Sequence, residues 1–314
     1  MKAFLPFLFC LLSIDAFTQS SFTYPSLIVE YDSAIIFKNL KLIPIKRTGM
    51  ENNDSSFHNQ SMITLQQGLE KGSVKINERG NYMVDNINVL LIENKSNQNL
   101  LLKSGDIISG GRQDRVIAKD TILPPGKQQH VIPVYCIEET RWSNHEKKFS
   151  YSGSAASGLQ KIIDSAHNQT KLWDEIRKLL KANNQTSSSS YAALLNNKKI
   201  VDSSNEYLHH FLLQFKERDS SIVGIIASTG THVFGADIFA NEELFYQTIS
   251  PLLIKYSTEA ILNGTTVTED NRKEERYADK ILSPSTQEQF ILKNGKRIYY
   301  KGKLIQLTGY SFHQ

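Results

Sequence analysis

The chain has 314 residues, 40% hydrophobic and 10% aromatic, enough to close a sizeable core in one large domain or two small ones. Its formal net charge of +4 comes from interleaved bases and acids, as in Arg272-Lys273-Glu274-Glu275-Arg276, so no basic stripe supports nucleic-acid binding. No segment reaches the ~20 consecutive apolar residues of a spanning helix, and no transmembrane segment is expected.

Residues 1–20 read as a secretory signal: Lys2, the apolar run AFLPFLFCLLSI, then small and polar residues with cleavage after Thr18 or Ser20. The expectation is an exported protein, periplasmic or secreted. Cys10 lies too early, inside the apolar run, for lipid attachment. Without the signal Cys136 is the only cysteine, which rules out an intramolecular disulfide.

In chain order, SLIVEY, AIIF and NLKLIPI read as strands, and residues 47–61 as a polar loop. Ile63, Leu65 and Leu69 suggest one side of a short helix stopping at Gly72. Residues 73–140 are a series of short β-rich runs separated by turn clusters, the pattern of a sandwich or partial barrel. Helical spacing follows, with Leu172, Ile176, Leu179 and Leu180 as one stripe beside Trp173. NNQTSSSSY reads as a low-complexity linker, and a second helix covers NEYLHHFLLQFKE. SIVGIIAST and THVFGADIF suggest a hairpin turning at Thr229-Gly230, and a long helix runs from Glu242 to about Leu262. Residues 263–288 read as a polar linker, and 289–314 as a β-hairpin turning at Asn294-Gly295. The fold class is α+β: a β-rich half (sandwich or partial-barrel-like), a helical segment with an added hairpin, and a C-terminal β-hairpin. The main domain is placed at 21–262.

The most site-like stretch is SGDIISGGRQDRVI, residues 104–117. Gly110 and Gly111 permit positive φ and expose backbone N–H groups; Arg112 and Arg115 can clamp a carboxylate or phosphate. Gln113, Asp106 and Asp114 can orient the arginines or act as acid or base, although a solvated polar turn has the same composition. At YCIEETRW, Cys136 is either a nucleophile or a small buried hydrophobe, whereas Glu138, Glu139 and Arg141 can point into a cleft that Trp142 walls. His209-His210 diverge on a helix, and no P-loop, H-E-x-x-H, EF-hand or G-x-S-x-G occurs, so neither metal nor cofactor is expected. Asp237 reads as a helix cap or hairpin closure, and Glu242 and Glu243 as partners of a helix dipole.

NLKLIPI, ITLQQGLEKGSVKINE, LLKSGDIISGGRQDRV, ILPPGKQQHVIPVYCIEETRW, QTKLWDEI and VGIIASTGTHVFGADIF, in that order, resemble the ARG and rhodanese-phosphatase-superfamily-associated protein domain family over residues 36–262. The positions matching its central motif are Gly110, Gly111, Arg112, Gln113, Arg115, Cys136, Glu138, Arg141 and Trp142. Many relatives resemble G-x-K-Q-N-R here; this chain has Asp114 where Asn is frequent. The resemblance implies no particular reaction, but it favours a site over a decorated turn.

The leading expectation is an exported binding module whose Gly110–Arg115 loop, with Glu138, Arg141 and Trp142, receives an anionic small molecule or the anionic group of a protein partner. One alternative is a hydrolase or group-transfer enzyme with Glu138 or Asp114 as base and arginines stabilising charge. The other is a structural or interaction protein of the envelope with both arginines locked in internal ion pairs.

Overall fold

The computed structural model describes residues 22–48, 62–78, 87–139, 147–185, 188–216 and 221–311. The expected signal segment and most of the expected loop at 47–61 lie outside the described residues. Strands β1 (Leu27–Val29), β2 (Ile35–Phe37) and β3 (Leu40–Arg47) come first. Next are β4 (Met62–Thr64), α1 (Leu65–Glu70), β5 (Val74–Asn77), β6 (Val89–Asn94) and β7 (Asn99–Leu102). β8 (Asp106–Gly111), β9 (Arg115–Ile117), β10 (Thr121–Leu123), β11 (Gln129–Cys136) and β12 (Lys147–Ser154) complete the β-rich half. Helices α2 (Ser157–Ala166), α3 (Gln169–Ala182), α4 (Tyr191–Leu195) and α5 (Lys198–Lys216) lead to β13 (Ile222–Ser228) and β14 (Val233–Phe239). The chain continues through α6 (Glu242–Asn263), α7 (Arg272–Leu282) and α8 (Gln287–Asn294) to β15 (Gly295–Tyr300) and β16 (Lys303–Tyr310).

The fold is α+β. One antiparallel sheet has the order β1-β3-β13-β14-β16-β15, with β2 also on β3, and so joins both ends of the chain. Its central strands β13 and β14 are buried on both faces because helices cover both. On β13, Ile225 and Ala227 pack with Phe211 and Phe215 of α5 and Phe245 of α6, while Val223 and Ile226 pack with Tyr277 and Ile281 of α7. Continuous apolar runs such as SIVGIIAS are the sequence form of a strand covered on both sides.

Between β3 and β13 the chain forms a second body. A six-stranded sheet, β12-β8-β9-β11-β6-β5, packs on a three-stranded one, β10-β7-β4. Ile92, Ile108 and Ile132 meet Ile63, Leu100 and Leu123 in one core, a sandwich. Ile107 and Val116 face the other way, onto Leu159, Leu172, Ile176 and Leu194 of α2–α4. Helix α6 touches β13 and β14 on one side and β12 on the other, joining the two bodies.

Three local expectations are corrected. Ile63 belongs to β4; the helix begins at Leu65 because Thr64 and Gln67 form a reciprocal capping box. The expected linker at 263–288 contains α7, whose Tyr277, Ala278, Ile281 and Leu282 form a buried stripe amid charges. Asn294-Gly295 is the end of α8 and the start of β15; the hairpin turns at Lys301-Gly302, both with positive φ. The sequence left open how the C-terminal hairpin docks; β16 pairs with β14 along Gly235–Phe239, which makes the hairpin part of the large sheet.

Candidate functional site

Residues 112–114 form the turn between β8, which ends in Gly110-Gly111, and β9, which begins at Arg115, at the end of the sandwich. Gly110 (φ 129°) and Gly111 (φ 54°) both have left-handed-side backbone that favours glycine. A Cβ on Gly110 would lie 2.5 Å from Lys148 O on β12, and one on Gly111 would lie 2.3 Å from the Phe149 ring. The turn is then tied from within. Asp114 Oδ1 accepts from Gly110 N (3.1 Å), and its Oδ2 accepts from Ser190 Oγ (3.0 Å). Arg112 N donates to Glu78 Oε2 (3.0 Å). The N–H groups of Gly110 and Arg112 are therefore engaged, not exposed as the Gly-Gly pair suggested.

Arg115 is 2% exposed. Its Nη1 donates to Gln113 Oε1 (3.1 Å), and its Nη2 lies 3.5 Å from Glu78 Oε1. Its Nε is buried with no hydrogen-bond partner among the described residues. Gln113 Nε2 donates to Glu138 O (3.1 Å), and Ile137 N donates to Asp114 O, which docks the end of β11 on the loop. Glu138 also forms a bridge with Ser190, the residue that caps α4, so the expected low-complexity linker ends as part of the site.

The structure thus brings together Gly110, Gly111, Arg112, Gln113, Asp114, Arg115 and Glu138. Arg141 and Trp142 lie outside the described residues. Glu139 is elsewhere, paired with Arg177 at the surface. Cys136 is buried, with its backbone clasped by Gln169 and its carbonyl also bonded by Trp173 Nε1. Burial pushes the thiol up against the opposing influence of Arg115, an environment that disfavours the thiolate and fits the small buried hydrophobe of the two sequence readings. Glu78 was missed by sequence reasoning; it follows β5, distant in sequence from the motif it serves.

Asp106 does not orient the arginines. It starts β8, at the opposite end of that strand, where its Oδ2 accepts from Lys103 N (2.9 Å). There it joins a second polar centre, between the sandwich and the large sheet. Asp237 is not a cap: Asn241 caps α6, and Asp237 sits fully buried in the middle of β14. Its Oδ2 accepts from Lys255 Nζ and Tyr256 OH (2.8 Å), its Oδ1 from Gln306 Nε2 and Thr308 Oγ1 (both 2.7 Å). Burial would raise this carboxyl, but Lys255 and Lys103 outweigh it and hold it well below the usual range. Lys255 itself is lowered to about 8, first by burial and also by Lys103 and Lys296, against the pull of Asp237. Burial pushes Asp106 up to about 7. Lys296 pairs with Asp120 (2.6 Å) and Asp164 (3.1 Å), and Tyr310 OH donates to Asp164.

Of this centre the sequence reading named only Asp106 and Asp237, the latter in another role. Lys255 had a signal: it is the one base in TISPLLIKYSTEAIL, directly after the apolar run Pro251–Ile254 of a helix. Among the described residues no group of three or more His, Cys, Asp or Glu is placed to hold a metal ion, and no helix is long and apolar enough to cross a membrane.

No curated protein and no solved structure matches the chain. The profile of the ARG and rhodanese-phosphatase-superfamily-associated protein domain matches residues 28–312, extending the resemblance seen in sequence to both ends of the large sheet. By that match over nearly its whole length, the chain belongs to the ARG and rhodanese-phosphatase-superfamily-associated protein domain family.

Proposed function

We propose that the protein is an exported binding module in which the Gly110–Arg115 loop receives the anionic group of a small molecule or of a partner. The observation that carries this reading is the guanidinium of Arg115. It is buried, and among the described residues its nearest carboxylate oxygen is 3.5 Å away and its Nε has no hydrogen-bond partner. A desolvated donor left unmatched costs ~1–3 kcal/mol, which an incoming carboxylate or phosphate oxygen would recover. The bracing by Asp114, Gln113 and Ser190 suits a preorganised loop, since little further ordering is needed on binding. Asp114 is occupied as a brace, which favours binding over its use as a base.

Calorimetric titration with inorganic phosphate, citrate and glucuronate tests this. Wild type is expected to bind at least one of them. Arg115→Gln and the partly exposed Arg112→Gln should each weaken that binding by about tenfold or more, the loss of a charge-assisted bond. Absence of binding to wild type, or equal affinity in both folded variants, refutes the reading. Export rests on the residue pattern of positions 1–20 and is checked by sequencing the N-terminus of the mature protein, which should begin near residue 19 or 21.

A further inference from the structure

The centre around Asp237 borders a small cavity and contains two buried amide oxygens with no hydrogen-bond partner among the described residues, Gln306 Oε1 beside Asp237 and Gln160 Oε1 on the cavity wall. Lys103, Asp106, Ser154, Gln160, Leu252 and Lys255 line a cavity of about 20 Å³. That is room for one water-sized group. Of these six, only Lys103 is more than slightly exposed, so it marks the mouth. Gln160 is 3% exposed; its Nε2 donates to Ser104 O (2.7 Å), which fixes the amide orientation and leaves Oε1 as an acceptor. That oxygen has no hydrogen-bond partner among the described residues. Lys255, 4% exposed, hydrogen-bonds to Asp237 alone among the described residues although an ammonium carries three donors.

We infer that Lys255 is an amine nucleophile for small unhindered aldehydes, forming an imine in this cavity while Asp106 and Gln160 manage the carbonyl oxygen. The cavity size restricts the reacting end to a terminal aldehyde. The rest of the molecule would point to the mouth, where Lys103 favours an anionic group, so the fitting class is the aldehydic carboxylates. In the first step the neutral Lys255 nitrogen bonds to the carbonyl carbon, and the oxygen gains the proton that nitrogen loses, giving a carbinolamine. Its new hydroxyl is the donor that Gln160 Oε1 lacks. Asp106 then gives its proton to that hydroxyl, which leaves as water, and the proton lost from nitrogen restores Asp106. Aldehyde plus lysine becomes imine plus water, with no net oxidation.

The charges facing Lys255 suit this. Asp237 on β14 holds the amine in place, while Lys103 and Lys296 oppose its protonation. With Lys255 lowered to about 8 and Asp106 raised to about 7, both the free amine and the carboxylic acid are populated near neutrality.

The test uses the folded full chain with glyoxylate or acetaldehyde and sodium cyanoborohydride at neutral pH, followed by peptide mass mapping. Lys255 is expected to be alkylated at least about tenfold faster than the exposed Lys178 and Lys198, because burial, Lys103 and Lys296 favour its neutral form beside the cavity. Glyoxylate should outpace acetaldehyde, and Lys103→Gln should erase that difference. Asp106→Asn should slow labelling of Lys255 and leave Lys178 unchanged. Labelling of Lys255 no faster than Lys178 in folded wild type, or a preference that survives Asp106→Asn intact, overturns the inference. The wild-type ratio needs no variant to fold.

Discussion

Asp237 and Asp106 are both buried acids, yet their neighbours drive them in opposite directions, and stability should follow each differently. Asp237 accepts four side-chain hydrogen bonds, one of them from Lys255. Its folded value is depressed, so its contribution is present above the unfolded carboxylate range and disappears only as pH falls below it. Asp237→Ala would strand Lys255 in the interior, and urea titration at neutral pH should show a loss of about 3–5 kcal/mol. Asp106 is raised to about 7, so the folded state holds its proton longer than the unfolded chain does. Its favourable share is complete below the unfolded value near 4 and is lost as pH rises through about 7. Wild type should therefore lose stability across that window, by at most ~4 kcal/mol from this group. Asp106→Asn keeps an oxygen to accept from Lys103 N and has no proton to lose. Urea midpoints for it should be flatter over the same window; an unchanged slope would refute the assignment.

At the scale of elements, β8 and β12 can pair only because Gly110 has no side chain. A Cβ there would meet Lys148 O at 2.5 Å and Phe149 Cα at 2.9 Å, both backbone atoms that cannot swing aside. Gly126, in the turn between β10 and β11, has a similar φ (149° against 129°) with nothing within 4 Å of its Cβ position. Gly126→Ala should cost only backbone strain, ~1 kcal/mol, whereas Gly110→Ala should cost that and a displaced strand, roughly 3 kcal/mol or more. Thermal melts of the two variants measure the difference. The elements that sequence periodicity revealed are those with long runs: α3 through its Leu172, Ile176, Leu179 and Leu180 stripe, and β13 and β14 through unbroken apolar residues. The stretch RKEERYADKIL escaped because four buried apolar residues are diluted by seven charged ones, so a helix with one inward stripe resembles a linker. Asn294-Gly295 misled because its turn preference is local, while the pairing of Gly295 with Gly309 is not. The same holds for the sites. The Gly110–Arg115 motif is contiguous and therefore visible; Lys255, Lys296 and Glu78 gain their partners only through tertiary packing.

Across the whole molecule, the large sheet is built from residues 27–47 and 222–310, with the sandwich inserted between them. β16 lies between β14 and β15, so the last third of that sheet forms only after the chain has nearly ended. A chain stopped at residue 262 would leave the β14 edge unpaired and uncover the face holding Val223, Ile226 and Ile238. It would also lose the apolar burial of Tyr277, Ile281, Leu282, Phe290, Ile291, Leu304 and Leu307. At ~1.5–3 kcal/mol for each fully buried side chain, that loss is comparable to or larger than the ~5–15 kcal/mol by which domains are stable. Lys296 would go too, leaving Asp120 and Asp164 facing each other without the cation that both contact. The truncated chain should therefore show no cooperative unfolding transition by circular dichroism and should aggregate through its open edge strand. A cooperative transition matching that of full-length protein would mean that residues 263–311 are dispensable to the fold, and that the centre around Asp237 closes without them.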